Sequence, residues 1–246
     1  MNDGETAGVE EKQMPFLEHL DELRRVVIYS VVAVVGLALV AWCFSGRATD
    51  LLLTSLGKAV FISPAEAFTV RAKLSLLLGF LASLPFIFFR IWRFVVPGLL
   101  KRERSLLLPL VVSSTILFYV GVAFSYFMLV PSIIKLLLAF GTSRLEPMIS
   151  VNSYFSFVFQ ISISLGLVFQ FPLVVAALTW LGVVTPGFLK RKWRYAVVII
   201  FIIGAVVTPG DGPSQLVVAI PICALYFLSI LISMLVMRRK EHETES

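Results

Sequence analysis

Acidic side chains at two places in a basic sequence offer the clearest binding chemistry. Residues 14–25, MPFLEHLDELRR, carry Glu18, Asp21 and Glu22 directly before the first long apolar run, and Glu103 stands in the basic stretch LLKRER. A carboxylate at a membrane surface accepts a guanidinium in a directional, charge-assisted pair. Glu22 and Glu103 on one face would therefore recognise a cationic peptide, especially one that presents arginines.

The same segment also fits a plainer interpretation. Phe16, Leu20, Leu23 and Val27 follow i, i+4, i+7 and i+11, which is typical of an amphipathic helix lying on a membrane surface. The acids would then form a solvated face, with an i, i+4 pair between Asp21 and Arg25 contributing about 0.2–0.5 kcal/mol. Glu103 would merely neutralise its basic neighbours. Both interpretations stay open on the residues alone.

Polar side chains expected near the middle of the membrane are few. Gln170 lies deep in GLVFQFP, and an amide in such a place needs a hydrogen-bond partner, so we expect it to pack against another helix. Asp211 and Gln215, in and after the stretch PGDGP, are typical of turn and cap positions. Ser214 is predicted to cap the last helix.

No catalytic constellation is present in the sequence. It has no His-Glu-x-x-His metal motif, no Gly-x-Ser-x-Gly elbow and no glycine-rich phosphate loop. The only two cysteines, Cys43 and Cys223, are too far apart in sequence for a metal-ligand spacing and form no disulfide framework. We therefore expect no enzymatic activity, no cofactor and no metal.

The elements that must position these groups are membrane spans. The 246 residues are 59% hydrophobic and 15% charged, against about 25% charged in soluble domains. A span needs about 20 apolar residues. Uncharged runs that can form six spans occupy residues 26–46, 74–89, 105–134, 147–189, 195–210 and 212–237. The fifth run is short, and the last two spans form a short hairpin.

The distribution of basic residues predicts the orientation of these spans. Fifteen of the 21 Lys and Arg residues lie on the side that holds both termini, and six lie on the other side. The positive-inside rule therefore places both termini in the cytoplasm. The net charge of +6 reflects topology, and nucleic-acid binding is not expected. The predicted organisation is a cytoplasmic tail with an amphipathic helix at 1–25, a six-helix membrane domain at 26–237 and a cytoplasmic tail at 238–246.

Prolines recur inside the predicted spans and favour bent helices. They stand at positions 85, 97, 109, 131, 172, 209 and 221. Each removes a backbone donor, so the helices are expected to form a bent, concave assembly rather than a straight bundle. No internal repeat is visible, which argues against the inverted-repeat design of many transporters.

Several short motifs, in one order along residues 14–237, resemble a known family. They are His19-Leu20-x-Glu22-Leu23-Arg24, Ser63-Pro64-x-Glu66-Ala67-Phe68, Trp92-x-Phe94-x-x-Pro97-Gly98-Leu99, Glu103-Arg104, Phe118-x-x-Gly121-x-x-Phe124-x-Tyr126 and Thr208-Pro209-x-Asp211-x-x-Ser214-Gln215. In this order the chain resembles TatC, the multispanning receptor component of the twin-arginine protein translocase.

The resemblance implies a glove-shaped, all-α receptor of six transmembrane helices in a bacterial cytoplasmic (inner) membrane. Such a receptor binds twin-arginine signal peptides of folded cargo, works with single-span TatA- and TatB-type partners and is expected to form homo-oligomers within the receptor complex. The proton-motive force would supply the energy.

The resemblance also assigns roles to residues. Acids matching Glu22 and Glu103 form the signal-peptide site, with Arg24 and Phe94 nearby. Residues matching Thr208 and Gln215 belong to the partner-binding region, which by its place in the membrane also includes Gln170, and Pro209 and Asp211 form the turn between the last helices. The family usually carries a glutamate where this chain has Gln170.

The alternative function is a secondary transporter of a small solute or ion. It would require ionisable groups near the bilayer midplane, and the sequence has only the amide of Gln170 there. A purely structural scaffold would leave the two acids at the cytoplasmic surface without a purpose.

Overall fold

The computed structural model describes residues 4–54, 62–95, 107–141, 149–208 and 211–245. Side chains are described for residues 19–49, 62–95, 107–141, 149–208 and 211–238. Glu103 and Pro209, both assigned roles by the sequence, lie outside these residues.

The regular elements of the described ranges are helices. They are α1 (Gly4–Trp42), α2 (Ser45–Thr54), α3 (Ala65–Val95), α4 (Leu107–Phe124), a π-helical segment (Ser125–Leu129), α5 (Val130–Leu138), α6 (Val151–Val168), α7 (Phe171–Trp180), α8 (Pro186–Val207) and α9 (Gly212–Glu245). The all-α class predicted from the sequence is confirmed.

Within the described residues, five stretches of helix are long and apolar enough to cross a membrane. They are His19–Trp42, Ala65–Val95, Leu107–Leu138, Val151–Trp180 and Gly212–Arg238, and they coincide with the first four and the sixth of the predicted spans. The fifth predicted span lies in α8, where basic residues fill the first half and leave an apolar part at 195–207. At 1.5 Å per residue this part is about 20 Å long, somewhat shorter than the predicted run of residues 195–210.

The last helix is longer than predicted, and the expectation of two short final helices is wrong for α9. This helix runs without interruption through Pro221 and past Met237 to Glu245. Residues beyond 237 are mostly charged residues with high helix propensity, which lets the helix continue beyond its apolar part.

No break in the helices marks the predicted tails. The segment expected as a separate surface helix, residues 14–25, is continuous with the first span inside α1, and residue 237 lies inside α9. The assignment of residues 1–25 and 238–246 to cytoplasmic tails stays a prediction.

Two of the predicted spans are interrupted next to a proline. Pro131 has no N–H to donate to the carbonyl four residues earlier, and the π-helical segment precedes it, with the Val130 N–H donating to the Ser125 carbonyl. Pro172 stands in the first turn of α7, after a turn at Phe169 and Gln170 that ends α6. The predicted bending at proline is thus a local change of helix type in one span and a turn in the other.

The described residues divide into two compact units. The first contains α1, α2, α3 from Phe68 and α4 as far as Val112. The second contains residues 62–67 and the chain from Ser113 onwards. The core of the second unit includes side chains that are at most 1% exposed: Ile133, Ile161, Leu165, Val218 and Ala219.

Candidate functional site

Two of the signal-peptide residues predicted from the sequence, Glu22 on α1 and Phe94 on α3, line a cavity within the first unit. It has a volume of about 430 Å³. The lining residues come from one stretch of each helix: Asp21, Glu22, Arg25 and Val26 from α1, and Arg90, Arg93 and Phe94 from α3. Glu22 and Phe94 are therefore brought together, as the resemblance implied.

The two acids of the cavity differ in their pairing. Asp21 lies 3.5 Å from the Arg25 guanidinium and 3.9 Å from that of Arg24. Within the described residues, the cation nearest to Glu22 is His19, with 4.0 Å between Nδ1 and the carboxylate, and this contact is ionic only when the imidazole is protonated. Glu22 has no guanidinium within 4.0 Å in this part of the chain and is available to accept one.

His19 connects the acid with the aromatic side chain of the cavity. Its ring stacks on Phe94 at 4.2 Å between centroids and 10° between planes. Because His19 and Glu22 are three residues apart on a helix, their side chains lie on one face. His19 therefore contacts both Phe94 and Glu22. Sequence reasoning missed it, although the i, i+3 spacing was visible.

The arginines of the cavity are partly occupied by contacts within the chain. The Arg90 guanidinium lies over the rings of Tyr29, at 4.5 Å, and Phe86, at 5.2 Å, in cation–π geometry. Arg25 pairs with Asp21. Arg24, expected beside the site, is not part of the cavity lining, and its exposed side chain points toward Asp21.

The predicted partner-binding residues lie in the second unit and make hydrogen bonds within the chain. Gln170 Nε2 donates to the Ser114 carbonyl at 3.0 Å, which ties the start of α7 to α4. Gln215 Nε2 donates to the Phe201 carbonyl at 2.8 Å, which ties α9 to α8. The expectation that Gln170 packs against another helix is thus met by a helix of the same chain.

The α8–α9 hairpin is held by its own polar groups. Thr208 is buried, and its hydroxyl donates to the Gly204 carbonyl at 2.9 Å. Asp211 stands directly before α9 and caps it, because its Oδ2 accepts the Ser214 N–H at 2.8 Å. The hydroxyl and the backbone N–H of Ser214 hold the pKa of Asp211 below its ordinary value. The prediction that Ser214 caps this helix is wrong, because Ser214 lies inside the first turn and its own N–H is the group that the Asp211 carboxylate caps.

An apolar cavity of about 400 Å³ opens beside Gln170. Its lining is drawn from α6, α7, α8 and α9 and includes Gln170, Phe171, Ile200, Ile203, Ile222 and Tyr226. Gln170 is its amide-bearing residue, and the other lining side chains are apolar apart from the Tyr226 hydroxyl. Thr208 and Gln215 do not line it.

A further polar contact on the second unit involves an acid for which the sequence suggested no role. Glu66 accepts the Ile62 N–H and the Ser150 hydroxyl, each at 3.0 Å, and Ser150 also caps α6. Glu66 lies within the motif Ser63-Pro64-x-Glu66, which was the available signal. Across the described residues, no group of three or more His, Cys, Asp or Glu side chains is arranged to hold a metal.

Comparison with known proteins decides the family. The family model described as Sec-independent protein translocase protein (TatC) matches residues 18–221, most of the chain and both groups of site residues. The chain belongs to the TatC family. It is a multi-pass membrane protein and a subunit of the twin-arginine translocase. The alternative of a small-solute transporter is set aside by this membership.

Individual TatC proteins are similar over nearly their whole length. The chain is 38% identical over 230 residues to Sec-independent protein translocase protein TatC of Carboxydothermus hydrogenoformans, covering 92% of this chain and 95% of that protein. It is 35% identical over 236 residues to the TatC of Aquifex aeolicus, covering 93% and 98%. A crystal structure of a twin-arginine translocase receptor, TatC, matches with a TM-score of 0.80 and 34% identity, over 89% of this chain and 99% of that one.

Proposed function

We propose that the chain binds twin-arginine signal peptides at the cavity formed by Glu22 and Phe94, on the cytoplasmic face of the membrane. The observation that carries the proposal is a carboxylate with no guanidinium partner among the described residues, beside an aromatic ring. A peptide arginine pairs with the Glu22 carboxylate through two parallel hydrogen bonds. The plane of its guanidinium, or the side chain of the neighbouring peptide residue, packs on the Phe94 ring.

A second acid is needed because the cavity itself carries a net positive charge. Two acids and three arginines line it. Binding of a cationic peptide therefore depends on pairs between single peptide arginines and single carboxylates, and the net charge of the cavity does not favour it. Glu103 is the second acid that the resemblance assigns, so two arginines of the peptide meet two carboxylates. Arg24 and Arg25 keep Asp21 occupied and so leave Glu22 as the acceptor on α1.

The test compares binding of an Arg-Arg signal peptide with its Lys-Lys counterpart to the purified protein in detergent. Glu22→Gln keeps the shape and removes the charge, so Arg-Arg affinity is expected to fall about 10- to 150-fold, which corresponds to 1.5–3 kcal/mol for a charged hydrogen bond. Discrimination between the peptides is expected to fall with it, and Glu103→Gln is expected to act in the same direction.

Asp21→Asn is the matched control. It removes an acid from the same cavity, but one that is already paired with arginines, so discrimination between the two peptides is expected to persist. Unchanged Arg-Arg binding in both Glu22→Gln and Glu103→Gln, with helicity preserved, would mean that these acids are solvated surface charges.

We further propose that TatA- and TatB-type single-span proteins dock on the second unit, and that the chain assembles with copies of itself in the bacterial inner membrane with both termini in the cytoplasm. The apolar cavity beside Gln170 supports the docking proposal, since a partner helix can fill it and accept or donate one hydrogen bond at the amide. The subunit performs no catalysis, and transport draws on the proton-motive force.

Gln170→Leu tests this docking surface. The substitution removes the amide from the cavity and its bond to α4, so less TatA- or TatB-type partner is expected to co-purify. Gln160→Leu is the control, because Gln160 donates to the Val206 carbonyl at 3.1 Å from the same span but does not line the cavity. Equal recovery of the partner protein with both variants would mean that Gln170 serves only in packing within the chain.

A further inference from the structure

The first half of α8 carries a positive charge that nothing in the helix balances. Lys190, Arg191, Lys192 and Arg194 are exposed and lie within the first nine residues of the helix, which begins at Pro186. The N-terminal end of a helix is itself the positive end of its dipole. Lys190 and Arg194, four residues apart, repel each other, and α8 contains no acid. This arrangement favours an anion from outside the helix.

A groove between α8 and α9 begins at Lys190, and Arg194 follows four residues later on the same face of α8. It has a volume of about 480 Å³. Lys190 and Trp193 line it from α8, and the α9 lining is apolar: Phe227, Ile230, Leu231 and Met234. The groove therefore has a cationic end and an apolar wall.

Aromatic side chains lie among the cations at the same end. Arg194 lies 5.9 Å from the Trp193 ring and Lys192 lies 5.1 Å from the Tyr195 ring, and both rings are exposed. Tryptophan and tyrosine collect at the headgroup level of membranes because their rings are amphipathic. This end of the groove is thus expected at the level of the lipid headgroups.

The groove is fixed by packing between the two helices. The Tyr226 hydroxyl donates to the Leu189 carbonyl at 2.8 Å, and both residues are buried. This bond joins α9 to α8 one residue before the first cation of the cluster. This buried bond therefore ties the apolar wall on α9 to the cationic part of α8.

We propose that this groove binds an anionic phospholipid, with the phosphate at Lys190 and Arg194 and an acyl chain along the α9 wall. Basic sites between transmembrane helices suit anionic headgroups. The apolar wall extends over residues 227–234, about 10 Å along α9, which matches part of an acyl chain and is much shorter than the contact of a transmembrane partner helix. The proposal is independent of the signal-peptide site.

The test measures lipid retained by the purified protein in mixed micelles of phosphatidylglycerol and phosphatidylcholine, by native mass spectrometry. Lys190→Gln combined with Arg194→Gln is expected to reduce the preference for phosphatidylglycerol by about fivefold for each cation, or roughly 1 kcal/mol each. Arg191→Gln combined with Lys192→Gln is the matched control with the same change of charge, and it is expected to keep the preference. Circular dichroism checks that both pairs retain their helices.

A second arm addresses the apolar wall. Leu231→Trp fills the groove at a position where the leucine is already exposed, and it is expected to reduce phosphatidylglycerol retention without changing the charge. Free glycerol phosphate, which has the anionic group but no acyl chain, is expected not to displace the lipid. An equal loss with both cation pairs would overturn the proposal in favour of a diffuse surface charge. Unchanged retention with Leu231→Trp, or displacement of the lipid by glycerol phosphate, would also overturn it.

Discussion

At the scale of single residues, the start of α9 shows how one carboxylate defines a helix end. Asp211 accepts the Ser214 N–H, and the pKa of Asp211 is lowered by the hydroxyl and the N–H of Ser214. The folded pKa therefore lies below that of the unfolded chain. The Asp211 carboxylate therefore stabilises the folded state at pH values above its pKa in the unfolded chain, which is about 4. This contribution is lost as the pH falls through the lower pKa of the folded state.

We expect Asp211→Ala to lower the free energy of unfolding by about 0.5–2 kcal/mol at neutral pH, since it removes the cap. Asp211→Asn keeps a cap that does not titrate, so thermal unfolding in detergent is expected to lose part of its pH dependence below about pH 4. A parent and an asparagine variant with the same acid sensitivity would contradict this account of the cap.

The residue scale also separates what the sequence could predict from what it could not. Glu22 and Phe94 were predicted to lie at one site, and they do line one cavity. This was predictable because the motifs that contain them resemble those of a family with a known fold. The stacking of His19 on Phe94 was not predictable, since ring contacts between helices depend on their relative rotation. Asp211 was predicted at the turn and Ser214 as the cap of the last helix, because Asp and Ser both cap helices and only geometry chooses between them.

At the scale of elements, the positions of the spans followed from apolar runs, whereas their internal breaks did not. Proline at 131 and 172 predicted bending, and the structure has a π-helical segment at one and a turn at the other. Pro221 produces no break in α9 at all. Whether a proline gives a π-helical segment, a turn or an unbroken helix depends on how neighbouring helices pack around the carbonyl that it leaves without a donor. This packing cannot be inferred from one sequence.

Close helix contacts at glycine were also beyond the sequence reasoning. In the first unit, a Cβ atom at Gly79 of α3 would collide with the backbone of α1, where it would lie 2.6 Å from the Ala38 Cα atom. The two backbones approach each other there because glycine has no side chain to hold them apart. Small residues serve this purpose in membrane helices generally.

Gly79→Ala and Gly36→Ala form a matched pair for this contact. The first substitution forces α1 away from α3, and overpacking of this kind costs about 1–3 kcal/mol. The second stands in α1, where an added methyl group would have no atom within 4 Å, so alanine is expected to stabilise the helix by up to about 1 kcal/mol. Thermal unfolding in detergent should therefore shift in opposite directions, and a shift of the same sign would disprove the contact.

At the scale of the whole molecule, charge and length determine how the chain crosses the membrane. The six-span prediction assigns 15 of the 21 Lys and Arg residues to the side of the two termini and six to the other side. The apolar part of α8 measures about 20 Å, against about 30 Å for the hydrocarbon layer. Such a helix crosses only if the bilayer thins or if Lys192 and Arg194 extend their charged groups to the interface. The side from which α9 enters the membrane depends on this crossing.

Single cysteines tested with an impermeant thiol reagent, added from the periplasmic side of intact cells, check this crossing. The parent for the experiment carries Cys43→Ala and Cys223→Ala, because Cys43 is exposed and Cys223 is only half-buried. Gly212→Cys and Lys135→Cys are expected to react, since both positions are exposed and lie at the ends of spans assigned to the periplasm. Lys192→Cys is expected to react only after the membrane is permeabilised. Its labelling in intact cells would show that α8 does not cross, and the last helix would then enter the membrane from the other side.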